Sequence, residues 1–185
     1  KGESLNIREQ KSLRLKQEVN LNKNLLKLPL GAFKETQTKN YTHFLSRLAY
    51  TYHARGQYDQ ALEIYQKLHD SLNDLGAGSQ EILRVCYSIA CTHHDAGQIQ
   101  LAKEELEEVF SKQERLLGGS DSETLRTRAR LASVLHDLEK YEESRQEFIL
   151  VLLLQEQEME KLQQEVLKPL IEEGLQDLHV KLKVL

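Results

Sequence analysis

The stretch that decides the fold runs from residue 124 to residue 148 and reads TLRTRARLASVLHDLEKYEESRQEF. Its apolar residues recur every three or four positions, which is typical of amphipathic helices. The polar step Glu139-Lys140 interrupts this pattern halfway. The stretch therefore predicts two helices that fold back on each other, with Leu131-Ala132 inside the first helix and Ser144 and Phe148 inside the second.

The same pattern occurs twice more upstream. The pair Leu131-Ala132 matches Ile89-Ala90 and Leu48-Ala49, at offsets of 42 and 41 residues. Four further alignment columns keep this register, in the turn and in the second helix. They are Gly56, Gly97 and Glu139; Ala61, Ala102 and Ser144; Tyr65, Leu106 and Phe148; and Leu68, Val109 and Val151. A repeat of this period predicts stacked helical hairpins.

The residue types in these columns suit a hairpin. Glycine readily adopts the left-handed conformation that ends a helix, and a small residue lets two helices approach closely. Glu139 lacks the freedom of glycine, so a left-handed backbone there is expected to cost about 1 kcal/mol. Longer loops follow each second helix, and we expect Ser79 or Ser120 to cap the helix that comes next.

These residues resemble those of a known family. The order Leu-Ala, aromatic, Gly-x-Tyr, alanine, aromatic is similar to the tetratricopeptide repeat (TPR), and the Leu75-Gly76 and Leu117-Gly118 exit loops resemble the kinesin light chain variety. The resemblance covers residues 41 to about 160. It implies an all-α fold, a right-handed α-α superhelix (TPR solenoid) of about three helical hairpins with flanking N- and C-terminal helices.

The predicted repeats occupy residues 39–78, 79–120 and 121–160. Residues 1–38 are expected to form an N-terminal helix and linker, read as the possible end of a degenerate upstream repeat, and residues 161–185 to form C-terminal capping helices. The last hairpin helix continues without a breaker to about Leu167. Along it runs a stripe with heptad spacing that either packs on the neighbouring helix pair or forms a coiled coil: Phe148, Leu152, Gln155, Met159, Leu162 and Val166. Because the chain begins at Lys1 and not at methionine, we expect a piece of a longer polypeptide.

In the resembling family, the first helix of each pair lines a concave groove that binds ligands. Carried over position by position, the resemblance implies these peptide-binding residues: His43, Arg47, Tyr50 and His53 in the first repeat; Arg84, Tyr87, Ser88 and His94 in the second; and Arg126, Arg130, Ser133 and His136 in the third. The second helices carry clustered glutamates instead, such as Glu104-Glu105 and Glu142-Glu143. The expected charge distribution is a basic groove and an acidic outer surface.

We therefore expect a non-enzymatic adaptor or scaffold domain that binds an acidic partner peptide through arginine-carboxylate hydrogen bonds. Tyr50 and Tyr87 would flank the peptide. Alternatively, the arginines pair with Asp95, Asp137 or Glu123 within the protein. The recurring histidine either has no role in binding or strengthens an acidic ligand's hold when protonated near pH 6. A different class of function is a structural module that self-associates through its long terminal helices.

Charge and composition argue against other functions. Twenty-five Lys and Arg against 29 Asp and Glu give a net charge of −4, which offers no basis for nucleic-acid binding. No apolar run is long enough for membrane insertion. Cys86 and Cys91 lie about 140° apart around one predicted helix and cannot form a disulfide with each other, so we expect a cytoplasmic location. Without paired histidines at i,i+4 or a C-x-x-C motif, we expect no metal, no cofactor and no enzyme activity.

Overall fold

The computed structural model describes residues 35–74, 76, 78–169 and 171. These ranges contain six α-helices and no strand. The helices are α1 (Glu35–His53), α2 (Tyr58–Asp74), α3 (Ser79–Asp95), α4 (Ile99–Leu117), α5 (Ser122–Asp137) and α6 (Tyr141–Leu162). A π-helical segment, Gln163–Leu167, continues α6 and confirms that this helix extends to about Leu167. The N-terminal helix and the closing helix expected after residue 171 lie outside the described residues.

The chain divides into two compact units, Lys1–Phe44 and Leu45–Leu185. Of the first unit the structure describes residues 35–44, which form the opening turns of α1 and include the buried Tyr41. The second unit contains the remainder of α1 and helices α2 to α6. Within it, consecutive helices from α2 to α6 contact each other, and α3 also contacts α5. The repeat boundaries at residues 39, 79, 121 and 161 remain predictions.

The three short turns within the repeats share one hydrogen-bonding pattern. In the last of them, the backbone N–H of Lys140 donates to the carbonyl of Leu135, and that of Glu139 to His136. The turns at Gly97 and Gly56 repeat both bonds one and two repeats earlier, respectively. This is the Schellman ending of a helix, which requires a left-handed residue. Glu139 adopts this left-handed conformation with φ 61°, so the turn keeps the shared geometry without a glycine.

The helices meet where the alignment has its small residues. Ala61 and Ala102 are fully buried, and Ser144 is 3% exposed. Ser144 also donates a hydrogen bond of 2.7 Å from Oγ to the carbonyl of Ala132, so a serine fits the close approach and satisfies its hydroxyl there. A buried cluster of Ala90, Leu106 and Val134 joins α3, α4 and α5.

The predicted serine caps are wrong. Helix α3 is preceded by Gly78, without a capping side chain. Helix α5 is capped by Asp121, which accepts a hydrogen bond from the backbone N–H of Glu123. Ser79 is itself the first residue of α3. Because Asp121 lies one residue closer to α5 than Ser120, and carboxylate oxygen is a strong acceptor for the free N–H groups of a first turn, the aspartate takes this role.

The heptad stripe does not pack on a neighbouring helix pair. Phe148, Leu152, Gln155, Met159 and Leu162 are all exposed, and the side chain of Val166 lies outside the described set. The packing alternative is therefore wrong for the described members, whereas the coiled-coil alternative remains a prediction. In the described part of the chain, no helix is long and apolar enough to cross a membrane.

Candidate peptide-binding pocket

A cavity of about 540 Å³ lies in the second unit. Six of the twelve expected peptide-binding residues line it: Tyr50, His53, Arg84, Tyr87, Ser88 and Arg126. They come from the first helices α1, α3 and α5, as the resemblance implies. Tyr65, Cys91 and Glu123 complete the lining. The cavity is therefore built across all three repeats.

Tyrosine side chains form much of the pocket. Tyr50 is 66% exposed and stacks on His53, with ring centroids 6.4 Å apart and 8° between the planes. Tyr65 is almost fully buried, and burial raises its pKa. Burial also raises the pKa of Tyr87 far above its usual value of 10.0. Both phenols are thus neutral at physiological pH, and the less buried Tyr87 offers an apolar ring and a hydroxyl to a ligand.

The two arginines that line the pocket have different interaction partners. Arg84 donates from Nε to Oε1 of Glu123, forming an ion pair between α3 and α5. Arg126 is exposed, and its guanidinium carbon lies 4.7 Å from the centre of the Tyr87 ring, an arrangement that favours a cation-π interaction. Among the described residues, no carboxylate forms an ion pair with Arg126. Its donors therefore remain available to an anionic ligand.

The recurring histidine links neighbouring repeats. His53 lies with Nδ1 2.9 Å from the hydroxyl of Thr92 and Nε2 3.0 Å from Oδ2 of Asp95. His94 is buried and lies with Nε2 2.8 Å from Oδ2 of Asp137. Each of these histidines thus contacts the aspartate of the following repeat. Only His53 also lines the pocket.

The other expected site residues lie outside the pocket lining. Arg130 donates to both carboxylate oxygens of Asp95 at 2.9 Å, so for Arg130, as for Arg84, the alternative of internal pairing holds. Ser133 donates to the carbonyl of Ala129 in its own helix, and Arg47 and His136 are exposed. His43 is exposed and belongs to the first unit. The expected basic groove is thus partly neutralised by Glu123 and Asp95.

Tyr65 is the lining residue that the sequence analysis assigned to packing alone. It shares an alignment column with Leu106 and Phe148, so its ring was expected between helices, where most of it lies. The signal that distinguishes it is the phenolic hydroxyl, which the leucine and the phenylalanine of this column lack. No group of three or more His, Cys, Asp or Glu that could hold a metal ion occurs in the described ranges.

Two stretches of the chain match family models of the tetratricopeptide repeat, at residues 42–68 and 83–111. These two stretches are tetratricopeptide repeats. A search of curated proteins finds no match. Among solved structures, the domain is similar to two crystal structures, one of them Q17M, of a candidate kinesin light chain with nearly identical TPR-like repeats from Podosopora anserina. These share 22% and 23% identity with it, at TM-scores of 0.57 and 0.54, over 65% and 63% of this chain and 57% and 56% of theirs.

A third similar structure is BtubC (BKLC) from P. vanneervenii, with a TM-score of 0.64 and 16% identity over 81% of the domain and 59% of that chain. The domain therefore spans less than two thirds of each of these chains. These findings confirm the all-α TPR solenoid fold. Tetratricopeptide repeats are protein-protein interaction modules, so the domain belongs to that functional class.

Proposed function

We propose that the domain is an adaptor whose pocket binds an acidic segment of a partner protein. The observation that carries this proposal is the state of Arg126: it is exposed, lies over Tyr87, and has no ion pair with a described residue. A carboxylate of the partner would accept its hydrogen bonds, while Tyr50 and Tyr87 contact the neighbouring side chains. Such a site selects a partner segment with a carboxylate at Arg126 and apolar side chains on either side of it.

The hydrogen bonds between Arg126 and a carboxylate of the partner are strong enough to contribute a large share of the binding free energy. A hydrogen bond to a charged group contributes about 1.5 to 3 kcal/mol when it is shielded from water, and a tenfold change in Kd corresponds to about 1.4 kcal/mol. Tyr87 shields one face of the guanidinium, although the other face meets solvent. We therefore expect the Arg126-carboxylate contact to be worth about tenfold in affinity.

Glu123 competes with an acidic ligand for the guanidinium of Arg84. It is mostly buried and binds Arg84 through Oε1, while its other oxygen, Oε2, is buried without a hydrogen-bond partner. A peptide carboxylate that approached Arg84 would have to compete with Glu123 and would be repelled by its charge. The pocket thus offers one free cation and one whose charge is already neutralised.

The test is a titration with two fluorescein-labelled peptides that alternate leucine with either glutamate or glutamine. We expect the glutamate peptide to bind more tightly, and Arg126→Gln to weaken its binding about tenfold. The matched control is Arg115→Gln, which removes an exposed arginine of α4 outside the pocket and should leave Kd unchanged. Equal affinity for both peptides, or equal losses in both variants, would contradict the proposal.

Glu123→Gln gives a second, independent result. Removing this charge frees Arg84, so the glutamate peptide should bind several times more tightly than to the wild type, whereas the glutamine peptide should be unaffected. A weaker glutamate complex would mean that Glu123 supports the site and does not compete for it. The absence of enzyme activity, the cytoplasmic location and the absence of nucleic-acid binding stay predictions beside this proposal.

Self-association through the terminal helices is the alternative function. The exposed apolar residues of α6 provide a contact surface for it.

A further inference from the structure

Helix α6 has an open face where the earlier second helices are covered. In the column Tyr65, Leu106 and Phe148, the first two side chains are 5% and 0% exposed, whereas Phe148 is 40% exposed. One turn further on, Leu152 is 65% exposed. The difference arises because α3 and α5 follow and contact α2 and α4, and no described helix follows α6 in the same way.

The interface between α4 and α5 shows how such a face is covered. The guanidinium of Arg128 on α5 lies over the ring of Phe110 at 4.7 Å and forms an ion pair of 3.7 Å with Glu114 on α4. It also donates a hydrogen bond of 3.2 Å to Glu147 on α6. Its neighbour Thr127 is fully buried and donates a hydrogen bond of 2.6 Å to Oε1 of the buried Gln113. Helix α4 is therefore recognised by a hydroxyl followed by an arginine.

Helix α6 carries the same set of recognition groups 42 residues later. Gln113 corresponds to Gln155, Glu114 to Glu156, and the ring of Phe110 to the apolar Leu152. Since 42 is the offset between these two repeats, the four side chains, with Phe148 in the place of Leu106, occupy the same angular positions around the helix. Gln155 and Glu156 are exposed and form no hydrogen bond or ion pair with a described residue.

We propose that the open face of α6, formed by Phe148, Leu152, Gln155 and Glu156, docks an amphipathic helix of a partner protein. The partner helix carries a hydroxyl residue followed by an arginine, beside an apolar stripe. The hydroxyl donates to Gln155, the arginine pairs with Glu156, and its stem packs on Leu152. This docking surface is separate from the pocket that contains Arg126.

Two other occupants fit the face less well. A second copy that presented its own α6 would offer Ser144 and Arg145 as its hydroxyl and arginine. Ser144 is buried and donates to the carbonyl of Ala132, and Arg145 already forms an ion pair with Glu142, so neither group is free for Gln155 or Glu156. Residues 172–185 of the chain contain no serine, threonine or arginine, so they cannot provide the pair of groups that α5 provides to α4. The charge and hydrogen-bonding pattern therefore favours a partner helix.

A peptide that copies α5, residues Ser122–Asp137, serves as the probe for the full chain. We expect saturable binding, weakened about tenfold by Glu156→Lys. Glu158→Lys is the matched control, because Glu158 is equally exposed but lies about 160° around the helix from Glu156. A peptide with Arg128→Glu should bind the wild type poorly and recover about tenfold on the Glu156→Lys protein, a rescue that a general loss of folding cannot produce.

Three outcomes would overturn the proposal. The first is absence of peptide binding by the folded full chain, which would mean that the face is covered by the chain itself. The second is binding that Glu156→Lys and Glu158→Lys weaken equally. The third is a concentration-dependent dimer in sedimentation velocity that Leu152→Asp dissociates, which would make a second copy the occupant.

Discussion

His53 and His94 each lie against the aspartate that follows the recurring histidine of the next repeat. The two pairs, His53 with Asp95 and His94 with Asp137, have Nε2-to-Oδ2 distances of 3.0 and 2.8 Å. The recurring histidine of one repeat thus contacts the recurring aspartate of the next repeat. This arrangement gives the histidines a role in stacking the repeats, which the sequence pattern alone did not distinguish from a role in binding.

Asp137→Asn tests this role in stability. Hydrogen bonds from His136 and then His94 hold the pKa of Asp137 below its ordinary value of 3.8. A lowered folded-state pKa contributes stability that is present above the unfolded-state value and is lost as the pH falls through the folded-state value. Because Asp137 is partly exposed, we expect the variant to lose about 0.5 to 1 kcal/mol at pH 6. The difference from wild type should shrink below about pH 4.

Urea unfolding at several pH values measures this difference. The matched control is Asp70→Asn, since Asp70 also lies beside the preceding histidine, His69, at 3.4 Å, but forms no ion pair with any histidine that the structure describes in another repeat. A loss in the control as large as that in Asp137→Asn would assign the effect to the sequential pair and not to stacking of the repeats.

At the scale of the elements, the third turn differs from the other two by one side chain. Glu139 has φ 61° where Gly56 and Gly97 have 70° and 83°. A left-handed non-glycine residue is strained by about 1 to 2 kcal/mol, although glycine loses more entropy on folding. Glu139→Gly should therefore stabilise the domain by up to about 1 kcal/mol, seen as a higher midpoint in urea.

Lys140→Gly is the comparison for this turn. Lys140 has φ −86°, a value that any residue adopts, so glycine relieves no strain there and only adds entropy to the unfolded chain. We expect this variant to be slightly less stable than wild type. If both glycine variants changed stability in the same direction, left-handed strain at Glu139 would not be the cause.

At the scale of the whole molecule, the contribution of a leucine to stability depends on whether the next repeat covers it. Leu106 is fully buried between α3, α4 and α5, whereas Leu152 on α6 is 65% exposed. Leu106→Ala should destabilise the domain by about 2 to 5 kcal/mol, and Leu152→Ala by no more than about 0.5 kcal/mol. Thermal unfolding of both variants measures the contrast. A large loss in Leu152→Ala would show that the α6 face is already covered.

The hairpins could be predicted from the sequence because the residues that specify each one lie close together in the chain and recur in every repeat. Leu48-Ala49, Ile89-Ala90 and Leu131-Ala132 mark the three first helices, and the turns follow at constant distance. The site was predicted only in part, because pairing across repeats depends on side-chain rotamers and not on spacing. Arg84 and Arg126 occupy equivalent positions 42 residues apart, yet Glu123 neutralises one of them and Tyr87 packs against the other.

The central claim is that Arg126 is the point at which the domain holds an acidic partner. It is tested most directly by nuclear magnetic resonance of the arginine Nε–H groups, with the Arg126 signal assigned from an Arg126→Lys spectrum. On titration with the glutamate-leucine peptide, we predict that the Arg126 signal shifts and saturates with the Kd of binding, while the Arg115 signal stays in place. Equal small shifts of all exposed arginines, without saturation at Arg126, would contradict the account.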